Sequence, residues 1–146
     1  MLYVLKQKFN IADLAEFPHT DKSVLLVVSE ENLREIYRRH LEISGFAVKS
    51  ADFGNHPEIA RHLGAIDLLI MDLRDSREPD KLAFLKLLKQ DFPGVSVITI
   101  GLGLDEVILQ SLMALGVVGH LDRKFSRPQD IIQIAKTIII PKNKYV

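Results

Sequence analysis

Ile66–Ser76 reads IDLLIMDLRDS. Six residues of near-continuous apolar character run straight into a carboxylate, Asp72. A short apolar run of this kind fits a strand covered on both faces, as in a parallel sheet. An acid at the end of such a strand needs a reason. In open α/β sheets, ligand sites lie beyond the carboxyl ends of the strands, where the strand order reverses.

Outward from this strand the pattern alternates. SVLLVV (Ser23–Val28) is a first buried strand, and the helical spacing of Leu33, Ile36, Tyr37, Leu41 and Ile43 follows, stopped by Gly45. FAVKSA is a second strand, and HPEIARHLG a short helix with Pro57 in its first turn. After the opening stretch comes a helix over DKLAFLKLLKQDFPG, with Asp80 as its expected cap and Pro93 beyond its end. VSVITI is the fourth strand, LDEVILQSLMALG a helix closing on Gly116, and VVGHL the fifth strand. PQDIIQIAKTIII is the last helix, between Pro128 and Pro141. Five strands alternating with five helices predict a parallel sheet with helices on both faces. The expected organisation is an N-terminal extension over 1–21, one domain over 22–140 and a tail over 141–146. Within the extension, LYVLKQKF reads equally as helix or strand, and NIADLAEF as one or two helical turns capped by Asn10.

The 146 residues suit one domain. Lys+Arg and Asp+Glu each number 19, so the formal net charge is zero, and nothing in the charge favours nucleic acid or an anionic membrane. There is no cysteine, which excludes disulfides, thiolate metal sites and thiol catalysis and agrees with a cytoplasmic location. No apolar run approaches the ~20 residues that span a bilayer. The N-terminus does not read as a signal peptide.

With the strands in order 2-1-3-4-5, the reversal falls between the first and third. Their ends then bring Glu30, with Glu31, near Asp72 and Asp75. Clustered carboxylates repel unless a cation or a proton intervenes. Mg²⁺, with its preference for oxygen ligands, suits such a pocket.

VLLVVSEENLREIYRRHLEISGFAV, IDLLIMDLRDS and MALGVVGHLDRKFSRPQDI, in this order and spacing, resemble the receiver domain of bacterial two-component response regulators. The resemblance covers about 22–139 and implies a flavodoxin-like, CheY-like fold. It implies that Asp72 is the phosphoacceptor, and that Mg²⁺ is held by Asp72, by the acids after the first strand and by the backbone carbonyl of Arg74. It further implies a pocket cation at Arg123, or Lys124 if the register slips by one. The positions of the first metal-binding acid, the strand-four hydroxyl and the aromatic switch hold Ser29, Gly101 and His120. Ser29 removes a charge and a ligand. Glu30 keeps a carboxylate but extends it by one methylene. Gly101 lacks the hydroxyl that draws the neighbouring loop toward a phosphoryl group. Arg123 keeps the charge as a planar fork able to hold Asp72 without phosphate. The pattern resembles a degenerate receiver, or pseudo-receiver, in which Mg²⁺ binding is weakened or lost.

The blander readings of these residues are a retained acid at Asp72 paired with Arg123, a helix-start acid at Glu30, a solvated loop arginine at Arg123, and a histidine at His120 that covers the sheet edge. No elbow glycines flank Ser29, so a hydrolase is disfavoured. The expected function is a stand-alone signalling domain, not an enzyme, that works by binding a histidine kinase or another signalling protein. The alternative is a working phospho-accepting regulator, and a small flavodoxin-like ligand binder or enzyme ranks below both. A homodimer would form through helix four, strand five and helix five, where the isoleucines of the last helix suggest an apolar surplus, or through the N-terminal extension.

Overall fold

The computed structural model describes residues 22–73, 79–103, 105–124 and 126–139, together with the backbone of 2–4. Asn10 and the NIADLAEF segment, Arg74, Asp75, Ser76 and the tail over 141–146 lie outside the described residues.

The elements are β1 (Leu2–Val4), β2 (Ser23–Val27), α1 (Glu31–Ile43), β3 (Ala47–Ser50), α2 (His56–Leu63), β4 (Leu68–Leu73), α3 (Pro79–Asp91), β5 (Ser96–Gly101), α4 (Glu106–Ala114), β6 (Val117–Asp122) and α5 (Asp130–Ile139). The sheet order is β1-β6-β5-β4-β2-β3. From β3 to β6 all pairs are parallel, which gives the 2-1-3-4-5 order expected for the alternating part of the chain. This is the CheY-like, flavodoxin-like arrangement. Asp80 lies inside the first turn of α3, one residue after Pro79, rather than capping it.

Side chains alternate along each strand, so each strand supplies two cores. Val24, Leu26, Leu68, Ile70, Ile98 and Ile100 face α1 and α5, where Leu33, Tyr37, Leu41, Ile131 and Ile134 meet them. Leu25, Val27, Leu69, Met71 and Val97 face α2, α3 and α4, through Ile59, Leu85, Leu88, Leu109 and Leu112. Every residue of β4 is buried, which explains the apolar run of the opening stretch. The acid near its start, Asp67, is structural: its carboxylate accepts the Ser23 N–H at 2.9 Å and locks β2 to β4 at their N-terminal ends. Helix α1 ends in a Schellman turn. The N–H of Gly45, at φ +97°, reaches the carbonyl of Glu42 at 3.0 Å, and that of Phe46 reaches Leu41 at 3.1 Å.

Two findings revise the sequence expectations at the far edge. Leu2–Val4 is a strand, and it pairs antiparallel with β6 in the register Leu2↔Leu121, Tyr3↔His120, Val4↔Gly119. The fifth parallel strand is therefore not the edge of the sheet. The isoleucines of α5 with described side chains do not form an outer surface either: Ile131 and Ile134 are fully buried, and Ile132 and Ile138 pack against the same core. Their abundance reflects a helix wedged between α1, the sheet and β1. The exposed large apolar side chains lie elsewhere, at Leu102, Val107 and Met113 around α4, Ile36 and Ile43 on α1, and Leu87 on α3.

An unpaired strand edge is a template for association. A chain lacking residues 1–4 is expected to keep its far-UV circular dichroism but to self-associate at lower concentration than the full chain. Size-exclusion chromatography with light scattering checks this. Identical behaviour of the two chains would mean that β1 does not protect β6.

Candidate functional site

Strand β4 delivers Asp72 to the carboxyl end of the sheet, next to β2 on one side and β5 on the other. The residue is only 8% exposed. Its carboxylate is held from both sides. Oδ2 accepts the Ser29 hydroxyl at 2.5 Å and the Ser29 backbone N–H at 3.1 Å. Oδ1 accepts the ammonium of Lys81 at 3.2 Å, and the same ammonium donates to the Asp72 carbonyl at 2.7 Å. Ser29, in the position where the resemblance expects a metal-binding acid, is thus a hydrogen-bond donor to Asp72.

Lys81 is the residue that the sequence reading missed. It sits on α3 and is 6% exposed, on the same buried stripe as Leu85 and Leu88. Residues i, i+4 and i+7 share one face of a helix. A lysine at the first place of such a stripe is the signal that would have found it, since lysine is almost never fully buried unless paired. Its Nζ also stands 5.6 Å from the centre of the Phe53 ring, within cation–π range. Phe53 is fixed in turn by edge-on contacts with Phe84 and His56.

Arg123, expected as the partner of Asp72, is placed differently. Its guanidinium lies 3.5 Å from the carboxylate of Glu30. Glu30 occupies the N-cap position of α1 but makes no side-chain capping bond. The two side chains, 40% and 54% exposed, form a rim pair above the buried Asp72–Lys81 pair. Tyr37, buried on α1, lies close enough to feel Arg123, Asp72 and Glu30. Burial first, and then the two carboxylates against the pull of Arg123, push its phenol up to about 12, so it stays neutral. The Arg74 carbonyl, the remaining candidate metal ligand, falls outside the described residues.

The loops that follow β5 and β6 are tied together. Gly101 pairs with Asp122, and the Arg123 N–H reaches the Gly101 carbonyl at 2.8 Å. Asp122 is 6% exposed, and one carboxylate oxygen accepts the N–H groups of Lys124 at 2.9 Å and Gly103 at 3.3 Å. Burial alone would raise the Asp122 carboxyl. These backbone donors prevail and hold it below the usual carboxylate range. Lys124 thus takes part through its backbone in the loop that Asp122 organises.

The described residues do not fit a divalent ion at Asp72 as they stand. Mg²⁺ needs several oxygen ligands at about 2.0–2.1 Å. Both oxygens of Asp72 are occupied by Ser29 and Lys81, and Glu30 is turned to Arg123. Among the described residues, no group of three or more histidines or acids is arranged to hold a metal.

His120 lies in the interior rather than covering the sheet edge. It is 4% exposed, sits opposite Thr99 across the β5–β6 pair, and its Nδ1 is 2.7 Å from the Thr99 hydroxyl. Burial pushes the imidazole down to about 4, against the opposing pull of Asp122. The folded chain therefore keeps His120 neutral where the unfolded chain binds a proton. The resulting stability is present above pH ~6.5 and is lost as the pH falls toward 4, by at most about 3 kcal/mol. Urea unfolding between pH 7 and 4 is expected to show this decline, with a shallower slope in His120→Gln. Equal slopes would place the titration elsewhere.

No protein-family profile matches this chain, and no curated protein matches it. Solved structures do resemble it. A response regulator from Thermotoga maritima superposes with a TM-score of 0.71 at 22% identity, over 82% of this chain and 98% of that one. A chemotaxis response regulator of Vibrio cholerae gives 0.68 at 18% identity, over 82% and 100%. An orphan response regulator of H. pylori gives 0.71 at 13% identity, over 84% and 100%. At these identities the likeness is one of fold, and the fold is that of response-regulator receiver domains.

Proposed function

We propose that the chain is a receiver-like, pseudo-receiver signalling module that acts by binding another protein, and that phosphorylation of Asp72 is weakened or absent. The observation that carries this reading is the Asp72 carboxylate, engaged on both oxygens by groups of its own chain. A phosphoryl donor approaching Oδ2 meets the two Ser29 donors, and one approaching Oδ1 meets the Lys81 ammonium. The second support is the loop after β5. In the receiver family that loop moves toward the phosphoryl group, drawn by a hydroxyl at the position of Gly101. Here the hydroxyl is missing, and Asp122 and Arg123 fasten the loop to the end of β6.

On this reading the chain has no catalytic activity of its own, requires no Mg²⁺ and works in the cytoplasm, with a histidine kinase or another signalling protein as partner. Self-association through α4, β6 and α5 would involve β1 as well, since β1 lies along β6. The rival reading, a phospho-accepting regulator, rests on the position of Asp72 at the end of β4 beside the reversal of strand order.

Incubation with acetyl phosphate or beryllofluoride plus Mg²⁺ separates the two. The expected result is no phosphoryl adduct by mass and no amide shifts in α4. An adduct on Asp72 with shifts across α4 would establish the rival. Removing the loop fastener gives an independent check. Asp122→Ala removes the charged acceptor of two part-buried N–H bonds and is expected to cost about 1 kcal/mol. Faster amide exchange at Gly103 and Lys124 is expected with it, and unchanged exchange would show that Asp122 does not hold the loop.

A further inference from the structure

Lys81 belongs to none of the roles that the receiver resemblance assigns, yet it is the cation closest to Asp72 among the described side chains. We infer that Lys81 is the resident cation of this pocket: its ammonium supplies the positive charge that a divalent ion would otherwise supply to Asp72, and while it is there the pocket excludes divalent metal. The inference rests on the receiver-like reading and deepens it.

Four observations converge on Lys81. Its side chain is buried on the apolar stripe of α3, a place that disfavours a charge unless a partner compensates it. It contacts Asp72 twice, at the carboxylate and at the backbone carbonyl, and both are oxygens. The face of Phe53, 5.6 Å from the ammonium, stabilises its charge from another side. Finally, Ser29 removes the acid that would have favoured a doubly charged ion, leaving, among the described residues, Asp72 as the carboxylate that meets this ammonium. A divalent ion bound to Oδ1 would stand beside the ammonium, and like charges that close in a poorly solvated pocket repel strongly. Ammonium and metal therefore compete for Asp72.

Paramagnetic Mn²⁺ and diamagnetic Mg²⁺ serve as probes, read by amide resonances of Ser29 and Asp72 and by thermal midpoint. For the wild-type chain at millimolar metal, the expected result is no site-specific broadening or shift and no change in midpoint. Lys81→Met keeps an apolar stem and removes the charge. It is expected to acquire Mn²⁺ broadening at Ser29 and Asp72, and a midpoint that rises with Mg²⁺. Metal reaching Asp72 in the wild type overturns the inference, as does a folded Lys81→Met chain that gains no response. Should Lys81→Met fail to fold, Lys81→Met/Asp72→Asn decides. Recovery of folding is expected, because the unpaired buried charge is gone, and failure to recover overturns the role. The outcomes are distinguishable from failure of the functional reading. Metal at Asp72 without movement of α4 removes the resident cation and leaves a docking module, whereas movement of α4 with beryllofluoride removes the docking reading.

Discussion

The structure turns on a buried ion pair at the carboxyl end of a parallel sheet, between Asp72 on β4 and Lys81 on α3. Neither charge would be tolerated there alone. For buried pairs in general, loss of one partner costs about 3–5 kcal/mol, chiefly because the other is left uncompensated. The pair also fixes how α3 docks against β4, through the second bond from Lys81 to the Asp72 carbonyl. Ser29, two residues past β2, completes the arrangement, so three parts of the chain converge on one carboxylate. That convergence follows from topology: β2 and β4 lie side by side at the reversal of strand order, and their exits share one crevice.

Around this floor the polar groups form a layered arrangement. The exposed Glu30–Arg123 pair sits at the rim, where solvent screens it and its contribution is small. Below it, Asp122 gathers two backbone N–H groups and joins the loops after β5 and β6. Further into the sheet, Thr99 and His120 form a neutral pair across β5 and β6. The two inner devices give buried polar side chains a local partner. Among the described residues, the carboxylates of Asp72 and Asp122 thus both find their donors within the chain itself.

Most of the fold was legible because its signals are repetitive. The two-sided burial of β2, β4 and β5 shows as apolar runs, and the helix ends at Gly45 and Gly116 are marked by the residue that accepts positive φ. The strand at Leu2–Val4 was ambiguous because three residues carry too short a pattern to separate helix from strand; only pairing with β6 decides it. In the site, Asp72 stood out because an acid interrupts an apolar run. Its partner does not stand out, because a family pattern points to Arg123, whereas Lys81 lies nine positions after Asp72 and only tertiary packing brings the two together. Asp122 is not legible for a similar reason: the donors to its carboxylate are backbone N–H groups, which leave no trace in side-chain identity.

The most direct measurement of the central contact is NMR of the lysine ammonium groups in the uniformly labelled full chain. The account predicts one slowly exchanging ammonium resonance, assigned to Lys81, with a scalar coupling across the hydrogen bond to the Asp72 carboxylate carbon, and loss of that coupling in Asp72→Asn. A Lys81 ammonium that exchanges with water as fast as the surface lysines, with no coupling to Asp72, would contradict it.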